Sequence, residues 1–180
     1  MAEQRMYVRT PEFARYAARI RHVTDLTSRL NVLPFADEDG RAALFAEIFG
    51  RPLPDNVTIY PPFFTEYGLG TEFAEQVFVN QGCTFMDEGG IRLGKGVMIG
   101  PKANLITGGH PVVLAERREF IVTAPIVLEE NVWLGAASTV LPGVTIGRNS
   151  VVGAGTVVSR DVPPDTLVTG PTAVVRKRLN

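Results

Sequence analysis

The sequence predicts an all-β solenoid preceded by a small helical segment. Aliphatic residues recur every six positions through the second half of the chain, glycines follow them, and the first fifty residues show helical spacing instead. Stepping by six from Leu128 gives Leu134, Val140, Ile146, Val152 and Val158. The fifth position of each hexad (Val132, Ser138, Val144, Ser150, Thr156, Val162) is small or β-branched, and Gly135, Gly147 and Gly153 come directly after three of the aliphatic residues. The same phase runs through Leu93, Ile99 and Leu105, and through Phe73, Val79 and Phe85, with two residues inserted near Gly89-Gly90. Neither a 3.6 nor a 2.0 period produces this spacing. A short strand with an inward aliphatic residue, followed by a tight turn, does. Three such hexads close one triangular coil of about 18 residues, and stacked coils bury a continuous core.

The coils fall at 73–90, 93–110, 128–145 and 146–163, with residues 57–64 supplying part of an earlier, irregular one. Residues 108–125 break the phase, and an excursion of that length from a tight solenoid is usually functional. Cys83 sits at a small fifth position and reads as a core thiol. Ahead of the repeat, Phe13, Tyr16, Ala17, Ile20 and Val23 are spaced by three and four, as are Leu44, Phe45, Ile48 and Phe49. Asp37 or Asp39 is placed to cap the second helix and Gly50 to stop it. Arg15, Arg19, Arg21 and Arg29 read as a solvated face, and His22 as a surface or packing residue. The expected division is a helical cap over 1–56, a solenoid over 57–170 with the loop 108–125, and a basic tail over 171–180.

Composition narrows the function. With 18 Lys+Arg against 19 Asp+Glu, the chain lacks the basic excess of a nucleic-acid binder. The charge is divided, however: eight Arg against 13 acids in residues 1–90 give −5, and ten Lys+Arg against six acids in 91–180 give +4. The basic half ends in Arg176-Lys177-Arg178, a plausible seat for an anionic ligand. No apolar run reaches the ~20 residues that span a bilayer, so no membrane partner is expected. The first residues have acids and no apolar core, unlike a secretory signal. One cysteine fits a reducing compartment, and the expected location is the cytoplasm. Two histidines, His22 and His110, are too few for a three-histidine zinc site within one chain, so no metal is expected.

These hexads, together with PPFFTEYG, VFVNQGCTFMD, VMIGPKANLITGGHP, the VWLG segment and DVPPDTLVTG, resemble the hexapeptide-repeat acyltransferases. More narrowly, the chain is similar to the maltose/galactoside O-acetyltransferase family over roughly residues 57–178. The series Asn80, Asp87, His110-Pro111, Trp133 is the most specific part of the likeness. The resemblance implies a left-handed parallel β-helix and a homotrimer, with acetyl-CoA held in the groove between neighbouring subunits.

It also implies roles for particular residues. His110, after Gly108-Gly109 at the head of the loop, is the expected general base, since an imidazole pKa of ~6.5 lies near operating pH. Asn80 and Asp87 are expected at the acceptor site, projecting from one region of the coil, with Glu66 lining the same pocket and Glu88 able to share the role of Asp87. Trp133 is expected along the cofactor groove, and a backbone N–H in the Gly135-Ala136 turn as the oxyanion donor. Ala154, Ser159, Arg160 and Lys177 match positions that contact CoA. Where relatives carry a cation near the end, this chain has Val174, so Arg176 or Arg178 is the expected substitute.

No Ser, Thr or Cys stands out as an acyl carrier, which favours direct transfer from acetyl-CoA to a small-molecule acceptor. The expected reaction is acetylation of a hydroxyl on a sugar or glycoside. An amine or xenobiotic acceptor is the alternative within the same fold, and a non-catalytic solenoid the alternative outside enzymology. The N-terminal stretch offers Tyr7 and Glu12 for the acceptor pocket, but not in the family's frame.

Overall fold

The six-residue phase becomes three flat faces of a triangular prism. The computed structural model describes residues 3–178. After strand β1 (Gln4–Tyr7) come helices α1 (Pro11–Val32) and α2 (Glu38–Phe49), and then the coils begin. The first holds β2 (Thr58–Ile59), β3 (Phe63–Thr65) and β4 (Thr71–Phe73); the second holds β5 (Phe78–Val79), β6 (Cys83–Met86) and β7 (Ile91–Leu93). The third starts with β8 (Met98–Ile99) and β9 (Asn104–Ile106). It then leaves the prism through β10 (Gly108–Gly109) and β11 (Phe120–Thr123) and returns as β12 (Ile126–Leu128). The fourth is β13 (Trp133–Leu134), β14 (Thr139–Val140) and β15 (Thr145–Ile146). The fifth is β16 (Val151–Val152), β17 (Val157–Val158) and a bridge from Val162 to Ile146. A sixth opens with β18 (Thr166–Thr169).

Strands of successive coils pair in parallel, giving a seven-stranded, a five-stranded and a four-stranded face, and the whole is a left-handed parallel β-helix. Register follows the repeat: Val79 stands beside Ile99, Ile99 beside Leu134, and Leu134 beside Val152. These residues and the other inward aliphatics (Leu93, Leu105, Leu128, Val140, Ile146, Val158) are buried in one core. The small fifth positions point inward as well, because two side chains per six-residue side must share the narrow prism; Ala103, Ser138 and Thr156 are fully enclosed. Cys83 is buried there too, its Sγ against the carbonyl of Gly100 at 3.3 Å, and burial pushes its thiol up to about 11.

The helices close one end of the prism. Thr10 caps α1 through Phe13 N, Asp37 caps α2 through Gly40 N, and Gly50 stops α2 at φ 69°. Val23, Leu26 and Leu30 of α1 join Phe45, Ile48 and Phe49 of α2 in the same core as the coils. Asn31 completes the seal: its amide donates to Phe63 O at 2.9 Å and accepts from Phe63 N at 2.8 Å, pairing the open edge of β3 as a neighbouring strand would. Arg19 departs from the expected solvated face. Its guanidinium donates to the carbonyls of Tyr67, Glu47 and Ile48, fastening the end of α2 to the first coil. His22 is exposed and meets Glu47 at 3.1 Å.

The first and last described strands are both paired. β1 pairs antiparallel with β11, which pairs with β10, forming a small three-stranded sheet at the side of the prism. Instead of trailing as a tail, the basic C-terminal stretch folds back as β19 (Val174–Arg178), antiparallel to β18.

Candidate active site

The corner between the five-stranded and four-stranded faces carries the densest polar chemistry. Phe85 and Leu93 are both inward but eight residues apart, so the turn between them holds two residues more than the usual hexad. Asp87 occupies that longer turn and is fully buried. Its Oδ1 accepts from Thr65 Oγ1 at 2.9 Å, Tyr67 N at 3.1 Å and Gly68 N at 2.9 Å. Its Oδ2 accepts from Gly70 N at 3.1 Å and Thr71 Oγ1 at 3.0 Å. Five donors from its own chain occupy the carboxylate, leaving nothing for a ligand. Asp87, which the resemblance places at the acceptor, thus holds the 65–71 corner in shape. Gly70 allows this approach, since a Cβ there would stand 1.8 Å from Asp87 O.

The next residue, Glu88, is half-buried, its Oε1 enclosed without a hydrogen-bond partner among the described residues. Glu88 borders a cavity of about 420 Å³ whose walls include Met6, Glu12, Tyr16, Tyr67 and Leu69. Tyr16 reaches down from α1, its ring 5.7 Å from that of Tyr67, and donates to Glu66 Oε1 at 3.1 Å. Glu88 faces the same hydroxyl. Burial, reinforced by the carboxylates of Glu66, Asp87 and Glu12, pushes Glu88 up to about 7 against the pull of the Tyr16 hydroxyl. Burial likewise raises Glu66, and burial beside the two glutamates raises the Tyr16 phenol. Near neutral pH Glu88 is thus divided between acid and carboxylate, able to donate or to accept.

His110 lies just beyond β10. The strand leading to it passes Glu88: a Cβ on Gly108 would be 3.9 Å from Glu88 Oε2. The imidazole is exposed, and its Nδ1 lies 2.9 Å from Arg117 O. A carbonyl only accepts, so in the neutral ring this contact places the proton on Nδ1 and leaves the Nε2 lone pair without a partner among the described residues. Arg117 braces the loop in return, its guanidinium donating to the carbonyls of Val112 at 2.9 Å and Pro111 at 3.5 Å.

The other expected site residues lie elsewhere. Asn80 follows β5, at the corner between the seven-stranded and five-stranded faces, where its Oδ1 accepts from Gln81 N at 2.8 Å. Within one chain Asn80 and Asp87 stand at different corners, separated by the four extended residues of β6, roughly 13 Å. Stacked with Asn80 are the turns that hold Ala136 and Ala154. Gly135 lets these turns touch, as a Cβ on it would stand 2.6 Å from Ala154 N. Its own N–H is taken by Val152 O at 2.7 Å, whereas among the described residues the Ala136 N–H has no internal acceptor. Trp133 borders this corner, 49% exposed, next to Met98 at 43%. Ser159 and Arg160 return to the His110 corner, two coils further along. Lys177 lies on β19 opposite Leu167, while Arg176 and Arg178 donate to Thr169 and Thr166 of β18.

One chain therefore gathers Glu66, Glu88 and His110 at one corner, with Ser159 and Arg160 further along it, and sets Asn80, Trp133, Ala136 and Ala154 at another. Sequence reasoning missed Tyr16, counted only as a helical core position, and Arg117, the partner of His110. A tyrosine where a helix needs only an apolar residue was the available signal for the first; nothing marked the second. Among the described residues no group of three or more His, Cys, Asp or Glu side chains is arranged to hold a metal ion, and no helix is long and apolar enough to cross a membrane.

Residues 125–160 match the sequence profile of the bacterial transferase hexapeptide (six repeats). A Staphylococcus aureus protein whose name assigns it provisionally to the acetyltransferases is 43% identical over 155 residues, 85% of this chain and 77% of its own length. Among solved structures, a hexapeptide-repeat acetyltransferase of Vibrio cholerae, complexed with acetyl-coenzyme A, is 34% identical. It superposes with a TM-score of 0.84, covering 96% of this chain and 91% of that one. A galactoside acetyltransferase in complex with coenzyme A is 28% identical, with a TM-score of 0.89 over 98% of this chain and 87% of that one.

Proposed function

The chain belongs to the hexapeptide-repeat acetyltransferases, and from that premise we propose that it transfers acetyl from acetyl-CoA to a hydroxyl of a sugar or glycoside acceptor. The observation that carries the proposal is the state of His110: exposed, with Nδ1 against Arg117 O and Nε2 free, on the strand that passes Glu88. Nε2 takes the acceptor's hydroxyl proton as its oxygen attacks the thioester carbonyl. The unoccupied N–H of Ala136 receives the tetrahedral oxyanion. Collapse breaks the C–S bond, and the proton held on His110 passes to the departing CoA sulfur. Glu66, Glu88 and Tyr16 hold the acceptor, and Asp87 supports them from behind. No acyl-enzyme is needed.

The base and the oxyanion donor lie on opposite edges of the five-stranded face, so the site is completed between copies. A head-to-tail homotrimer would set the His110 corner of one chain against the Asn80 and Ala136 corner of the next, making three equal sites. The exposed apolar surfaces of Met98, Trp133, Val112 and Leu114 suit such a contact. CoA then lies along Trp133 and the free backbone of Ala154 and Ser159. Arg160 and Lys177 meet its phosphates, with Arg176 or Arg178 replacing the cation missing at Val174. A buried free thiol fits the reducing cytoplasm.

Acetylation of an amine is a second reading, favoured by Glu12 and Glu88 in the cavity wall, which Arg15 and Arg19 also line. Acetylating glucosamine and treating the product with hydroxylamine, which cleaves an ester and spares an amide, separates the two. For the transfer itself, His110→Ala should lower kcat by ~10²–10⁴-fold and leave calorimetric CoA affinity nearly intact. Full activity in a folded His110→Ala protein would remove the histidine from the mechanism.

A further inference from the structure

A second cavity, away from the His110 corner, has the features of a binding site. It measures about 340 Å³ and lies between α2 and the segment entering the first coil. Leu53, Val57 and Tyr60 form much of its wall, and Arg41 of α2 supplies its cation. The guanidinium lies over the Phe35 ring, Cζ 4.3 Å from the centroid, and the Phe35 and Tyr60 rings are 5.5 Å apart. Arg41 Nη1 is shut off from solvent without a hydrogen-bond partner. Among the described residues no carboxylate lies within 4.0 Å of it. Nη1 itself is closed to a ligand, so a ligand in the cavity would meet the other guanidinium N–H groups, which have no ion-pair partner to displace among the described residues.

We propose that this cavity binds a small planar monocarboxylate, its carboxylate on Arg41 and its apolar body against Phe35, Tyr60 and Leu53. A guanidinium presents parallel N–H donors that match a carboxylate, and its stacking on Phe35 fixes their plane. Glu38 and Asp55 also line the cavity, so the site favours a single negative charge over the two of a phosphate monoester. The volume falls within the range of small-ligand pockets.

Benzoate serves as the probe, with benzamide as its uncharged isostere and inorganic phosphate as a non-planar anion. Isothermal titration of the full chain should give one benzoate site per chain, with a dose-dependent rise in Tm. Benzamide should bind at least about tenfold more weakly, as should Arg41→Gln with benzoate, since each loses a charge-assisted contact. Ala42→Leu fills the cavity while keeping the guanidinium, and should also abolish binding; it answers the question if Arg41→Gln does not fold. CoA affinity should be unchanged in both variants. Absence of heat and Tm change at millimolar benzoate, equal binding of benzamide or phosphate, or unchanged binding in a folded variant would overturn the proposal. So would dissociation of the oligomer by Arg41→Gln with benzoate binding retained, which assigns the guanidinium to a subunit contact.

Discussion

The Tyr16 hydroxyl donates to Glu66 Oε1 across 3.1 Å, joining residues fifty apart in the chain and fastening the first helix to the first coil. Through this contact the N-terminal segment becomes part of the site. Glu88 faces the same hydroxyl, so two carboxyl groups and a phenol share one partly desolvated space. Its chemistry depends on how many protons it holds.

Glu88 is pushed up to about 7 from an ordinary 4.5, chiefly by burial. The folded state therefore holds a proton that the unfolded chain has released. The resulting stability is complete below about 4.5 and is lost as pH rises through about 7. Glu88→Gln mimics the protonated acid. Its Tm should change little relative to the parent at pH 5 and should exceed the parent's at pH 8, as followed by thermal unfolding across that range. A constant difference between the two proteins at all pH values would show that Glu88 titrates normally.

Asp87 carries a separate, structural prediction. Asp87→Ala strands five donors, two of them buried threonine hydroxyls, and should destabilise the fold by about 3 kcal/mol or more in urea unfolding. Asp87→Asn keeps the shape but turns a donor toward donors, and should be destabilising too. Gly70→Ala should act at the same place, since its Cβ would strike Asp87 O. If Asp87→Ala unfolds at the parental urea concentration while losing acceptor affinity, Asp87 contacts the acceptor after all.

The division of the site between corners predicts complementation. His110→Ala disables one corner and Asn80→Ala the other. Each should be impaired as a homogeneous protein. When the two are refolded together in equal amounts, a site pairs the intact corner of each with a probability of one half times one half. About a quarter of parental activity should then return if the closed ring uses one heterologous contact throughout. Activity no greater than the mean of the two variants would place both residues in a site built by one chain.

The repeat was legible because it is local and periodic. Leu128, Leu134, Val140, Ile146, Val152 and Val158 each occupy the same place in successive turns, and their burial follows from spacing alone. The caps of α2 were legible for a similar reason: Asp37 and Gly50 act on backbone within three residues of themselves. His110 was singled out as a candidate by its motif. Its free Nε2 was not, because that depends on a carbonyl seven residues away around a folded loop.

What the chain's local pattern leaves open is decided where distant segments meet. Asp87 and Glu88 are adjacent acids, and no propensity says which turns inward. The five donors that claim Asp87 come from 16 to 22 residues earlier, brought to it only when the second coil stacks on the first. Whether Asn80 joins the acids depends on which corner of a triangle it occupies, and a hexad count gives the side but not the neighbour across it. Arg19 and Tyr16 look like a surface cation and a core aromatic on a helical wheel. They become a clamp and a wall of the cavity because α1 crosses the end of the prism, where the carbonyls of Tyr67, Glu47 and Ile48 meet the Arg19 guanidinium and Glu66 stands within reach of a phenol. Periodicity sets which side of each strand is buried; the partners of a polar group buried at a corner are set by stacking, which no local stretch of sequence contains.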